Sequence, residues 1–303
     1  MLELARGLRD LVRPVLGAHA GRAHERAGAG GDVTFAVDAR AEEFLARFVA
    51  ERAPRTAYYS EDRGLVRPPG TVDHVLVVDP IDGTRPALAG FEAACVSVAL
   101  APFGDGRPTM GDVSAGCVVE IKTGDFFLAR RGEGLEASAP VAPSANTDLD
   151  RLFWVYGLRG RPAGPMMEVL GELVDRSSVG GASFDLGSAA FDMTRVVTGQ
   201  LDAYVEPGPL LVDEVPGMRE RFAAVGGGAI LNNSPYDLAA AALCVTEAGA
   251  VLSDARGRPL RDRPLLGSGP EHQMSVLACA GPDLHAALVD ALARGMRRLA
   301  RNA

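Results

Sequence analysis

The apolar run His74-Val75-Leu76-Val77-Val78 stops abruptly on Asp79-Pro80-Ile81-Asp82-Gly83-Thr84. A run of that kind reads as a buried β-strand, because branched side chains pack well on a pleated surface. Proline donates no ladder hydrogen bond and glycine lets the backbone turn tightly, so the strand is predicted to end at Asp79-Pro80. Open α/β folds place ligands beyond the carboxyl ends of their strands. Two acids crowded into a partly dry turn repel each other unless a cation lies between them, and Mg²⁺ takes oxygen donors of this kind. Taken alone, the segment is equally a solvated Asp-Gly turn with Asp79 capping the strand.

The rest of the chain predicts a layered α/β protein. Leu4, Leu8, Leu11, Val12, Val15 and Leu16 keep helical spacing, with Pro14 as a bend. A glycine break at 28–31 precedes a second helix starting near Asp38. Strands are expected at 57–59, running into Ser60-Glu61-Asp62, and at 95–101, 114–121 and 125–129, with a hairpin turn at Thr123-Gly124. The second half alternates: strand 153–156, helices near 166–174 and 188–198, strand 201–205, helix 235–248, strands 251–252 and 275–280, and a last helix from about Asp283. Ser234, Pro235 and Asp237 form a helix start with N-cap, first-position proline and first-turn acid.

Texture loosens near residue 140, which suggests two subdomains, 1–145 and 146–303. The segment at about 207–234 carries Asp213, Glu214, Arg219, Glu220, Arg221 and then Gly226-Gly227-Gly228. It reads as a lid or substrate-selecting loop, or as a solvated face.

Charge and cysteine usage narrow the partners. The net charge of -8 carries no basic stripe, which argues against nucleic acid. Arg294, Arg297, Arg298 and Arg301 close the last helix, where cations meet the negative dipole end. Cys95, Cys117, Cys244 and Cys279 are widely spaced, so neither a zinc site nor a redox pair is signalled and buried free thiols are expected. No uncharged apolar run reaches the roughly 18 residues of a membrane span, and the N-terminal helix lacks a signal-peptide core. A cytoplasmic protein without a membrane partner is the expectation.

Taken together, these motifs resemble the inositol monophosphatase superfamily, which also contains fructose bisphosphatases and bisphosphate nucleotidases. Its D-P-[IL]-D-G-T hallmark is matched in full by Asp79 to Thr84. Ser60-Glu61-Asp62 looks like its acidic element, and Tyr236-Asp237-Leu238-Ala239-Ala240 is similar to its W-D-x-A-A helix start. Gly187-Ser188-Ala189-Ala190 and Leu201-Asp202-Ala203-Tyr204, with Glu206, look like its substrate-facing helix and strand. The order is kept from Asp38 to the C-terminus. A haloacid dehalogenase-type D-x-D-G-T is excluded, because Pro80 stands where that nucleophile would be.

The resemblance implies an αβαβα sandwich and a Mg²⁺-dependent phosphomonoesterase with two or three ions per site. Glu61, Asp79 and the Ile81 carbonyl would hold one ion; Asp79, Asp82 and Asp237 would hold a second. Thr84, backed by Asp38, would position the attacking water alongside Glu61, while Asp82, Gly83, Thr84, Gly187, Ser188, Ala189 and Glu206 would meet a small phosphorylated polyol or sugar. It also implies a homodimer. Departures occur at Arg85-Pro86-Ala87, at Tyr236 in place of tryptophan, and in the spacing before Asp38. A sugar bisphosphatase, with Arg85 and the insert's arginines on a second phosphate, a 3′,5′-bisphosphate nucleotidase and a non-catalytic ligand-binding relative stay open.

Overall fold

The computed structural model describes residues 1–17, 24–27 and 33–302; the glycine break expected at 28–31 lies outside the described residues. The elements run α1 (Leu2–Val12), β1 (His24–Ala27), β2 (Val33–Phe35), α2 (Ala36–Arg52), β3 (Thr56–Ser60), β4 (Gly64–Val66), β5 (His74–Asp82), α3 (Thr84–Ala89), β6 (Cys95–Pro102), β7 (Ala115–Glu120), β8 (Phe126–Arg130) and β9 (Gly134–Ala137). There follow β10 (Phe153–Tyr156), α4 (Ala163–Gly180), β11 (Ala182–Phe184), α5 (Ala189–Val197), β12 (Ala203–Glu206), α6 (Gly208–Glu214), α7 (Met218–Val225), α8 (Pro235–Glu247), β13 (Val251–Ser253), β14 (Val276–Cys279) and α9 (Pro282–Asn302). Pro14 falls in a 3-10 turn (Arg13–Val15) that ends α1.

A seven-stranded sheet has the order β4-β3-β5-β6-β7-β8-β9, and a five-stranded sheet the order β11-β10-β12-β14-β13. Side chains alternate across each strand, so each sheet buries both faces. Leu76, Val78, Val96, Val98, Cys117 and Val119 face α1 and α2. Val75, Val77, Cys95, Ala99 and Val118 face the opposite way, onto α5 and α8. The second sheet sends Val155, Tyr204, Val276 and Ala278 to that same middle layer. It sends Trp154, Val205, Leu277 and Cys279 toward α4 and α9. The result is the expected αβαβα sandwich. The middle helices fit because α8 is rich in alanine and Gly116 lacks a side chain: a Cβ there would lie 2.5 Å from the Ala240 carbonyl oxygen.

One expectation needs correction, and two others gain detail. β5 does not stop at Asp79-Pro80; it runs on to Asp82 through an irregularity, pairing Asp79 with Ser97 and then Asp82 with Cys95. Pro80 is tolerated because the bulge takes it out of the ladder. The 207–234 segment, expected as a loop or a solvated face, forms two short helices with its charges outward. Leu210, Leu211, Val215, Met218 and Phe222 bind α6 and α7 to the second sheet's outer core, while Arg219, Glu220 and Arg221 are exposed. The C-terminal basic cluster does more than meet a helix dipole. Arg294 and Arg298 of α9 both reach Glu172 of α4, at 2.5 and 2.9 Å. All four cysteines are free and buried. No helix among the described residues is long and apolar enough to cross a membrane.

Candidate active site

β5 delivers two acids to the inner face of the seven-stranded sheet, and α8 delivers a third from the middle layer. Carboxylate oxygens of Asp79, Asp82 and Asp237 all lie within 4.8 Å of one another. Asp79 and Asp82 are buried, at 3% and 5% exposure. Asp79 Oδ1 accepts the Ile81 N–H at 2.9 Å, and the Thr84 hydroxyl donates to the Ile81 carbonyl at 3.0 Å, so the turn is tied to itself. Asp82 Oδ2 accepts from the Ser188 hydroxyl at 2.8 Å and the Ala190 N–H at 2.6 Å, at the start of α5. Asp237 both caps its helix and joins the cluster, since its Oδ2 accepts the Ser234 N–H at 2.6 Å.

Crowding shows in the titration of these groups. Burial, then the neighbouring charges of Asp82, Glu61 and Asp237, holds the Asp79 carboxyl well above the usual range. Burial pushes Asp82 up to about 6 against the hydrogen bonds from Ser188 and Ala190. Burial and then Asp82 push Asp237 up to about 8. Without a cation, the cluster resists carrying its full charge.

The cluster opens on a cavity of about 380 Å³. Glu61, Ile81, Gly83, Thr84, Gly187, Ser188, Ala189 and Glu206 line it with the three aspartates. Asp38, in the first turn of α2, is half-buried and outside the lining. Gly83 is required where it stands: its φ is +86°, and a Cβ would lie 2.5 Å from the Ala93 carbonyl oxygen and 2.8 Å from Ser188 Cβ. Tyr236 stacks on Tyr59 with ring centroids 6.3 Å apart, forming part of the wall.

Glu206 lines the cavity but is already engaged. It is fully buried, forms an ion pair with Arg161 at 2.7 Å, and accepts from Arg161 Nε at 3.1 Å and the Gly208 N–H at 2.8 Å. Sequence reasoning missed Arg161, along with Arg159, Asp185, Asp192 and Asn232, all in the lining. The only available signal for the arginines was their place just beyond the carboxyl end of a strand. Arg219 and Arg221 of the insert, expected as partners for a second phosphate, do not reach the cavity.

Residues 2–295 match the inositol monophosphatase family. The chain is 28% identical over 266 residues to a fructose-1,6-bisphosphatase/inositol-1-monophosphatase of Methanothermobacter thermautotrophicus, covering 84% of this chain and 83% of that one. Its fold is similar to that of an IMPase from Thermotoga maritima, with a TM-score of 0.70 at 19% identity, covering 98% of this chain and 97% of that one. It is also similar to SaIMPase-II with inositol monophosphate bound, with a TM-score of 0.60 at 23% identity and 88% of each chain covered.

Proposed function

The chain belongs to the inositol monophosphatase family and is a phosphatase; from that premise we propose that it hydrolyses a small phosphorylated polyol or sugar with the help of Mg²⁺. The observation that carries the reading is the Asp79-Asp82-Asp237 cluster at one end of a cavity large enough for such a substrate. The donor set fits the ion: it is all oxygen and mostly buried, and its carboxylates repel one another. Asp79, Asp82 and Asp237 would hold Mg²⁺, with Glu61 and the Ile81 carbonyl as further donors. Bound there, the ion supplies water activation and neutralises charge on the leaving oxygen.

The chain's own residues do the rest. In this reading, the Thr84 hydroxyl orients the attacking water, with Asp38 behind it and Glu61 at the wall. Gly83 and Thr84 offer backbone N–H groups to phosphate oxygens. Ser188 and Ala190 fix the Asp82 carboxylate, so its unused oxygen keeps one direction. Gly187, Ser188 and Ala189 line the cavity and would meet the hydroxyls of the substrate. Arg85 and Arg159 line the same cavity, which favours, as a second reading, a substrate bearing a second phosphate.

Phosphate release from inositol 1-phosphate, fructose 1,6-bisphosphate, histidinol phosphate and adenosine 3′,5′-bisphosphate, with Mg²⁺ and with chelator, tests both readings. Metal-dependent release from any of them supports the assignment; release from none sinks it. We also carry forward a homodimer in the cytoplasm, the first part of which light scattering reads directly.

A further inference from the structure

The stretch that joins α7 to α8 is fastened on both sides of one residue. Gln273 Nε2 donates to the Ile230 carbonyl at 2.6 Å, and Gln273 is itself buried. The Met274 N–H donates to the Asn233 carbonyl at 3.1 Å, and Asn233 Nδ2 donates to the Tyr204 hydroxyl at 2.5 Å. Between these anchors, Asn232 lines the cavity at 9% exposure, yet neither its Oδ1 nor its Nδ2 has a hydrogen-bond partner among the described residues. Leaving a buried polar group unpaired is costly, because it has given up its water without gaining a partner. Folds rarely bury an amide and leave both of its groups unused.

The neighbours do not supply the missing partners. A Cβ on Gly208 would come within 2.5 Å of Asn232 Oδ1 and 2.7 Å of Glu206 Oε1, so the amide sits beside the Glu206 carboxylate. That carboxylate is paired with Arg161 and accepts the Gly208 N–H, and no hydrogen bond joins it to the Asn232 amide. Asp192, on α5, also lines the cavity, and its Oδ1 lacks a partner at 2% exposure. Unused hydrogen-bonding capacity therefore gathers in the wall of this cavity, on residues outside the acid cluster.

Resting on the phosphatase reading above, we propose that Asn232 is a specificity-determining residue that reads the non-phosphorylated part of the substrate. Its Nδ2 donates to one hydroxyl oxygen and its Oδ1 accepts from an adjacent hydroxyl, a pairing that suits a vicinal diol. The terminal torsion of asparagine is soft, so a small rotation turns the amide edge to the cavity. Glu206 is also a positioning residue in this arrangement, since it holds Arg161. The 207–234 segment acquires a role: it packs α6 and α7 against the sheet and delivers Asn232 to the cavity.

The test uses Asn232→Ala and Asn232→Leu in the full chain with Mg²⁺. The probes are inositol 1-phosphate, fructose 1,6-bisphosphate and p-nitrophenyl phosphate, whose leaving group has no hydroxyl. In both variants, kcat/KM for the better polyol substrate, divided by that for p-nitrophenyl phosphate, should fall about 10- to 100-fold. Tm of the substrate-free Asn232→Leu protein should hold or rise, since the unpaired amide is gone, whereas a merely structural asparagine would lower it. A ratio equal to wild type in active variants, or a lost ratio with a lowered Tm in Asn232→Leu, overturns the inference alone. A wild type inactive on these probes and on the whole panel above fails the phosphatase reading, and the inference falls with it.

Discussion

Asp79 and Asp82 face the same side of the sheet although they stand three positions apart, because one extra residue is accommodated between the pairs Asp79–Ser97 and Asp82–Cys95. In a regular strand, residues at that spacing point to opposite faces. The bulge reverses the parity and turns both carboxylates toward α8, where Asp237 waits. Asp82→Asn keeps an acceptor for Ser188 and Ala190 but removes the charge. Activity should fall by at least about 100-fold with unchanged circular dichroism; retained turnover would overturn the role given to Asp82.

Asp237→Asn separates the metal reading from a purely structural one. Relieving repulsion with Asp79 and Asp82 should raise the chelator-treated Tm above wild type, since asparagine still caps the helix at Ser234. Saturating Mg²⁺ should stabilise wild type, by about 2.7 kcal/mol at a hundred times Kd, and the variant much less. Differential scanning calorimetry with and without Mg²⁺ reads both effects; equal Mg²⁺ shifts would remove Asp237 from the ligand set.

The Arg161–Glu206 pair should behave as a buried ion pair. Arg161→Met leaves Glu206 uncompensated at zero exposure, with an expected cost of about 3–5 kcal/mol. Arg161→Met combined with Glu206→Leu should recover most of that loss. Urea unfolding of the two single variants and the double gives the coupling energy; additive losses would mean that the pair is not coupled.

Acid sensitivity should trace in part to Glu172. Hydrogen bonds from Arg294, with those from Arg298, lower its carboxyl to about 2 from an ordinary 4.5. A depressed folded value means that its stabilisation is present above pH 4.5 and is lost as pH falls toward 2. The side chain is a quarter exposed, so about 1 kcal/mol is expected. Glu172→Gln should flatten this part of the stability–pH curve; an unchanged slope would assign the acid loss elsewhere.

Much of the architecture was legible because its signals are local. The apolar run before Asp79, the Ser234-Pro235-Asp237 helix start and the alternation after residue 153 each announce an element within a few residues. The short edge strands β4, β9 and β11 escaped notice because three or four residues carry no readable period. The bulge in β5 escaped because register depends on the partner strand, and Pro80 alone read as a stop. Arg161 and Glu206 lie 45 positions apart, and only the packed second sheet joins them. Asn232 carried no local signal, since its meaning lies in partners it does not have.

The middle layer gives the site an unusual dependence. Asp79 and Asp82 ride on one sheet, Glu206 on the other, and Asp237 and Ser188 on the helices clasped between them. On the proposed assignment, no half of the chain owns a complete centre. Turnover is therefore a gauge of finished assembly: a molecule whose two sheets have each formed but not yet closed on α5 and α8 has native-like secondary structure and no catalytic ability.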